Sequence, residues 1–222
     1  MIVYGSTLSP YVRKVAVFAA EKGLDIKIEL AGMGRGSPEF FAASPFGKMP
    51  AFRDGDFAIS DSSAIIAYLE AKHPEPNLIP LRPEARARAI WFEEFADTIL
   101  MTVGPKIFGN RFVTPRVLNG APDLEIADTA EREELPKLFD YLESVIPKSE
   151  FLVEDRLTLA DIAVASPWAS LTTVGCAIDG ARHPRCAAYF DAILSRPSFA
   201  AIVASDHATV AAMGGPVSAE PA

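Results

Sequence analysis

Four prolines fall within the ten residues Pro74-Glu75-Pro76-Asn77-Leu78-Ile79-Pro80-Leu81-Arg82-Pro83. Proline has no backbone N–H and a fixed φ, so neither a helix interior nor a central strand runs through such a segment. It divides the chain into stretches of unlike periodicity. Residues 1–74 alternate strand-like and helix-like patterns, whereas 84–204 repeat apolar residues at helical spacing only. The segment 75–83 is therefore read as a linker between an α+β unit and an all-helical unit. A tail from about Asp206, rich in Ala, Gly, Pro and Ser, is expected to be loosely ordered over 205–222.

Half of the 222 residues are apolar, enough for a substantial core. The net charge of −8 argues against a nucleic-acid groove or a polybasic membrane contact. No apolar run reaches the length of a membrane span, and the N-terminus enters a strand without a charged leader. A cytoplasmic protein is the expectation. Cys176 and Cys186 have no Cys-x-x-Cys spacing, and His73, His183 and His207 have no ligand spacing, so no metal site is expected.

Ile2-Val3-Tyr4 is a short apolar strand. Val12, Val15, Ala16, Ala19 and Ala20 then recur at helical spacing, which predicts a helix over 10–22. Ile26 to Leu30 alternate as a second strand, and the intervening helix makes a parallel crossover. Gly32, Gly34 and Gly36 miss the dinucleotide-loop spacing, so 31–37 is read as a mobile loop. Ala51-Phe52-Arg53 and Phe57-Ala58-Ile59 flank Asp54-Gly55, a hairpin signal, and a third helix starts near Asp61. The order β-α-β-α-β-β-α is that of a thioredoxin-like unit. Beyond the linker a long helix carries Ile90, Trp91, Phe95, Ile99 and Leu100, with a kink or break expected at Gly104-Pro105. Further helices are expected over 126–145, from Thr158 as N-cap with Asp161 three residues on, and over 183–199.

The turn Ser6-Thr7-Leu8-Ser9-Pro10 between the first strand and helix carries the most suggestive chemistry. Ser9 before Pro10 reads as an ordinary N-cap followed by Pro at the first helical position. The same geometry presents hydroxyls and unpaired N–H groups where an anion such as a thiolate is favoured.

Downstream lie Ser44-Pro45-Phe46-Gly47-Lys48-Met49-Pro50 and Ile59-Ser60-Asp61-Ser62-Ser63. With the serine turn, the Thr158-Leu159-Ala160-Asp161 cap and the late Arg196-Pro197-Ser198-Phe199 segment, these resemble the cytosolic glutathione transferases over about residues 1–204. The resemblance is to serine-type, bacterial members. It implies glutathione as co-substrate, a small hydrophobic electrophile as second substrate, and a homodimer. It further implies that Asp61 pairs with the γ-glutamyl ammonium and Ser62 with its carboxylate. Met49, before a cis Pro50, would pair its backbone with the cysteinyl residue, and Lys48, with Arg35 as a weaker candidate, would approach the glycine carboxylate. Ser9, four residues before Arg13, is the implied thiolate-activating hydroxyl. Ser6 is its rival, with Thr7 and Tyr4 as outsiders. The absence of cysteine from residues 1–15 argues against the disulfide-exchanging members. Tyr11, Phe95, Phe108, Phe112 and Trp168 are candidates for the apolar substrate lining. Asp61-Ser62 also reads as a plain helix cap, and the lining aromatics also read as core. A non-catalytic binding or regulatory protein of the same fold, comparable to the stringent starvation proteins, is the alternative.

Overall fold

The computed structural model describes residues 1–217. Strand β1 (Ile2–Tyr4) is followed by α1 (Pro10–Glu21), β2 (Lys27–Glu29), α2 (Pro38–Ala43), β3 (Ala51–Asp54), β4 (Phe57–Ser60) and α3 (Ser62–Lys72). The sheet order is β2-β1-β3-β4, with β1 and β2 parallel and the β1–β3 and β3–β4 pairs antiparallel. This is the expected thioredoxin-like topology. The hairpin closes with Asp54 opposite Phe57, so its two-residue turn is Gly55-Asp56. Alternation sends β-strand side chains to opposite faces. Val3 and Phe52 join the main core with α1 and α3, while Tyr4 and Ala51 pack with Phe40 and Ala43 of α2.

The proline segment is anchored at both sides. Glu70 accepts the N–H groups of Leu78 and Ile79, both buried, and the Leu159 N–H donates to the Leu78 carbonyl at 2.8 Å.

Helix α4 (Pro83–Glu94) runs on through a π-helical stretch (Phe95–Leu100), α5 (Met101–Gly104) and a second π-helical stretch (Pro105–Val117). Gly104-Pro105 is thus not a break. Both residues keep helical dihedrals, and the missing N–H of Pro105 falls at the start of the wider winding, which changes the carbonyl pairing. Then come α6 (Leu124–Thr129), a short π-helical stretch (Ala130–Glu134), α7 (Leu135–Val145), α8 (Leu159–Thr172), α9 (Pro184–Leu194) and α10 (Pro197–Ala212). Helix α8 is buried from Leu159 to Leu171 and packs on both α1 and α4, so one core spans the sheet unit and the helices. The carboxylate of Asp161 accepts the Thr158 N–H at 2.9 Å, completing the expected cap.

The segment expected as one helix over 183–199 is two helices, interrupted at Ser195-Arg196 before Pro197. The tail expectation fails over its first part, because α10 continues to Ala212. Composition alone missed that Asp206 is 2% exposed and ion-paired with Arg13. Residues 218–222 of that tail lie outside the described residues.

Candidate functional site

The polar cleft forms where three segments converge: the start of α1, the loop into β3, and the turn from β4 into α3. It has a volume of about 560 Å³ and brings together Tyr11, Lys48, Met49, Pro50, Asp61 and Ser62. Each is held there by a local device. The Met49-Pro50 peptide is cis. Ser44 fastens the residue before it, its hydroxyl accepting the Lys48 N–H at 3.0 Å and donating to the Lys48 carbonyl at 2.7 Å. Gly5 lets the end of β1 lie against this loop, since a Cβ there would sit 2.5 Å from Val12 and 3.3 Å from Met49.

Asp61 has φ 86° and caps α3 with one oxygen, Oδ1, which accepts the Ser63 and Ala64 N–H groups at 2.9 and 3.0 Å. Oδ2 remains for another donor. Ser62, the first residue of α3, is buried with its N–H at the positive helix end. Capping and ligand recognition are therefore compatible at this corner.

An acidic wall of the cleft comes from Glu94 and Asp97, which no local motif marks. Burial pushes the Asp97 carboxyl above its usual range, against the pull of Lys14. The Tyr11 hydroxyl donates to the Asp97 carbonyl at 3.2 Å. Burial and the charges of Asp97 and Asp61 raise the Tyr11 phenol, so it stays protonated at neutral pH. Beneath the wall, buried Lys14 reaches Glu93 at 2.9 Å and Asp97 at 2.6 Å, and Ser63 donates to Glu93 at 2.7 Å. No motif announced this network, because its members come from three helices.

A second pocket of about 200 Å³ is almost wholly apolar and is lined by Pro10, Met101, Pro105, Phe108, Val113 and Leu171, among others. Of the five aromatics expected to line the substrate site, Tyr11 is in the polar cleft and Phe108 is here. The other three are core. Phe112 is fully buried, Phe95 stacks on Trp91 and meets Tyr141 at a tilt, and Trp168 packs against Phe139 and Phe190. Helical spacing cannot separate a pocket-facing aromatic from a core one. Arg35 is exposed, bridged to Gly32, and lies outside the cleft lining.

Ser9 and Ser6 line neither pocket and lie in the turn that leads into α1. Pro10, next to Ser9, lines the apolar pocket, and Tyr11 lines the polar cleft. Ser9 is the N-cap residue of α1, yet its hydroxyl makes no capping bond. The Ser6 hydroxyl accepts the Leu8 N–H at 3.4 Å. Arg13 is fully buried and faces α8 and α10 instead of the cleft.

Two family models match the chain, "Glutathione S-transferase, N-terminal domain" over residues 3–77 and "Glutathione S-transferase, C-terminal domain" over 96–197. Glutathione S-transferase 3 of Zea mays is 32% identical over 212 residues, covering 91% of this chain and 93% of the relative. The solved structure of a glutathione S-transferase from Rhodospirillum rubrum superimposes with a TM-score of 0.81 at 27% identity, covering 90% of each chain. A stringent starvation protein A homolog of Coxiella burnetii is 26% identical over 216 residues, covering 97% of each. A thioredoxin-like sheet, a polar cleft at its cis-proline and Asp-Ser corner, and an adjoining apolar pocket thus coincide with matches along nearly the whole chain, which belongs to the glutathione S-transferase family and is a transferase with glutathione as its co-substrate.

Proposed function

We propose that the Ser9 hydroxyl donates to the sulfur of glutathione and holds it as a thiolate, which attacks the electrophilic carbon of a small hydrophobic compound seated in the apolar pocket. The observation that carries this reading is the Ser9 hydroxyl itself. It stands at the N-terminus of a 12-residue helix, is not spent on capping that helix, and precedes the residues that line the two pockets. A free thiol has a pKa of about 8.5, and lowering it by two units needs roughly 2.7 kcal/mol of preferential thiolate stabilisation. One charge-assisted hydrogen bond together with the helix end is of that scale. The sulfur–carbon bond forms with the thiolate electron pair, the thiol proton passes to solvent, and the electrophile's leaving group departs with its own pair.

In this pose Asp61 Oδ2 takes the γ-glutamyl ammonium, and the Ser62 N–H and hydroxyl take its carboxylate. The Met49 backbone pairs with the cysteinyl residue and Lys48 faces the glycine carboxylate. Lys48 is the one cationic side chain lining the cleft among the described residues, whereas Arg35 stands apart. We read the protein as a cytoplasmic homodimer; no single helix among the described residues is long and apolar enough to cross a membrane. The dimer reading is supported by Phe46, 89% exposed at the cleft rim. A hollow of about 420 Å³ beside Arg88, Trp91 and Tyr141 would receive such a ring from a second copy.

Ultraviolet difference spectra of bound glutathione across pH, for wild type, Ser9→Ala and Ser6→Ala, test the activation. A thiolate band persisting below the free thiol's pKa and lost in Ser9→Ala establishes the reading. Loss in Ser6→Ala alone transfers the role to Ser6. No band in wild type, with glutathione bound, would overturn activation by either serine.

A further inference from the structure

Thr7 and Leu8, the two residues between the candidate serines, are both tied to the C-terminal helices. The Thr7 hydroxyl donates to Asp206 Oδ1 at 2.5 Å, across 199 residues of sequence. The Leu8 carbonyl accepts the Ser170 hydroxyl at 3.2 Å. Arg13 joins the two ties: its Nε and Nη2 donate to Asp206 Oδ2 at 3.2 and 2.8 Å, and its Nη1 donates to Ser170 Oγ at 2.9 Å. Asp206, Arg13 and Ser170 are all buried.

The turn they grip is itself hydrogen-bonded, with the Ser9 N–H donating to the Ser6 carbonyl at 2.9 Å. Fixing its two central residues therefore fixes the backbone of both flanking serines, and with it the points from which their hydroxyls project. We propose that Asp206 is a positioning residue for the thiolate-activating serine, acting through the Thr7 hydroxyl; this rests on the serine reading above.

The division of labour within the carboxylate supports a positioning role over a simple tie. Arg13 alone would neutralise the charge, and both of its donors to Asp206 fall on Oδ2. Oδ1 is then held in a set direction and takes the turn. A hydroxyl aligned to a sulfur loses most of its hydrogen bond once the angle falls well below linear. A turn released by a few tenths of an ångström would keep the fold and the glutathione cleft while weakening thiolate stabilisation.

Thr7→Val removes the hydroxyl at nearly constant shape and leaves the Arg13–Asp206 pair intact. Asp206→Asn perturbs a fully buried ion pair and can fail to fold, so Thr7→Val carries the test and Thr7→Ser is the rescue. The measurement is the pKa of bound glutathione from its ultraviolet thiolate band, with the dissociation constant for glutathione and the thermal midpoint taken on the same samples. The expected result for Thr7→Val is a bound-thiol pKa raised by about one unit. Glutathione affinity should stay within about threefold of wild type, and Thr7→Ser should restore the wild-type titration. If Thr7→Val titrates as wild type while Ser9→Ala or Ser6→Ala loses the band, the positioning role is overturned and the serine reading stands. If neither serine variant moves the band, the serine reading fails and takes the positioning role with it.

Discussion

Lys14 places its ammonium 2.6 Å from the Asp97 carboxylate, so a cation buried in the first helix supports an acidic wall of the polar cleft contributed by the helical half of the chain. The same ammonium lies 2.9 Å from Glu93, whose side chain is 4% exposed. Two carboxylates this close together and this dry need the cation between them.

Replacing that cation by an apolar side chain of similar length leaves Glu93 and Asp97 uncompensated. Lys14→Met is expected to destabilise the fold by about 3 kcal/mol or more, the range for breaking a buried pair. Urea unfolding measures it. A cost under about 1 kcal/mol would place the pair among the weak surface type.

The cap of α8 carries a pH dependence of unusual sign. Burial pushes the Asp161 carboxyl up to about 6, against the donors it accepts from Leu152, Thr158 and Tyr189. A carboxyl that holds its proton more tightly in the folded state loses stabilisation as pH rises from about 4 to about 6. Relative to Asp161→Asn, the wild-type protein should therefore lose roughly 3 kcal/mol of stability across that interval. Denaturant titrations of the two proteins at its ends provide the comparison. A gain with rising pH would mean that the hydrogen bonds to the carboxylate outweigh burial.

Asp61→Asn separates capping from charge. Asn caps about as well as Asp and tolerates positive φ, so stability should change by less than about 1 kcal/mol. Glutathione affinity should fall about tenfold, because the ammonium loses its carboxylate. Calorimetric titration of glutathione into both proteins checks this. Equal affinities would confine Asp61 to the helix start.

Phe46→Ser tests the proposed dimer. Removing a central aromatic anchor costs about 2 kcal/mol or more at an interface. Sedimentation velocity should show the dimer dissociation constant raised about thirtyfold or more. An unchanged constant would detach this ring from any contact between copies.

Local chemistry made much of this protein legible in advance. The serine turn, the hairpin, the Met49-Pro50 loop, the Asp61 corner and the Thr158–Asp161 cap each span a few residues, and each is dictated by φ preference or by a side chain reaching its own backbone. The four prolines marked where alternating patterns stop. The residues from Asp206 to Ala212 are not legible in this way: Ala and Ser are compatible with both a tail and a helix, and only Asp206 meeting Arg13 decides between them.

What sequence alone determined, then, is the order of elements and the residue types available to bind an anionic tripeptide. Tertiary structure decided which of those residues share a cleft. Arg13 and Lys14 are adjacent in sequence and both are buried, yet one reaches Asp206 and the other Glu93. Phe108 lines a pocket while Phe112, one turn on, is core. Charge pairing and burial depend on contacts between distant segments, where the free energy of removing a group from water is set by neighbours that no local pattern names.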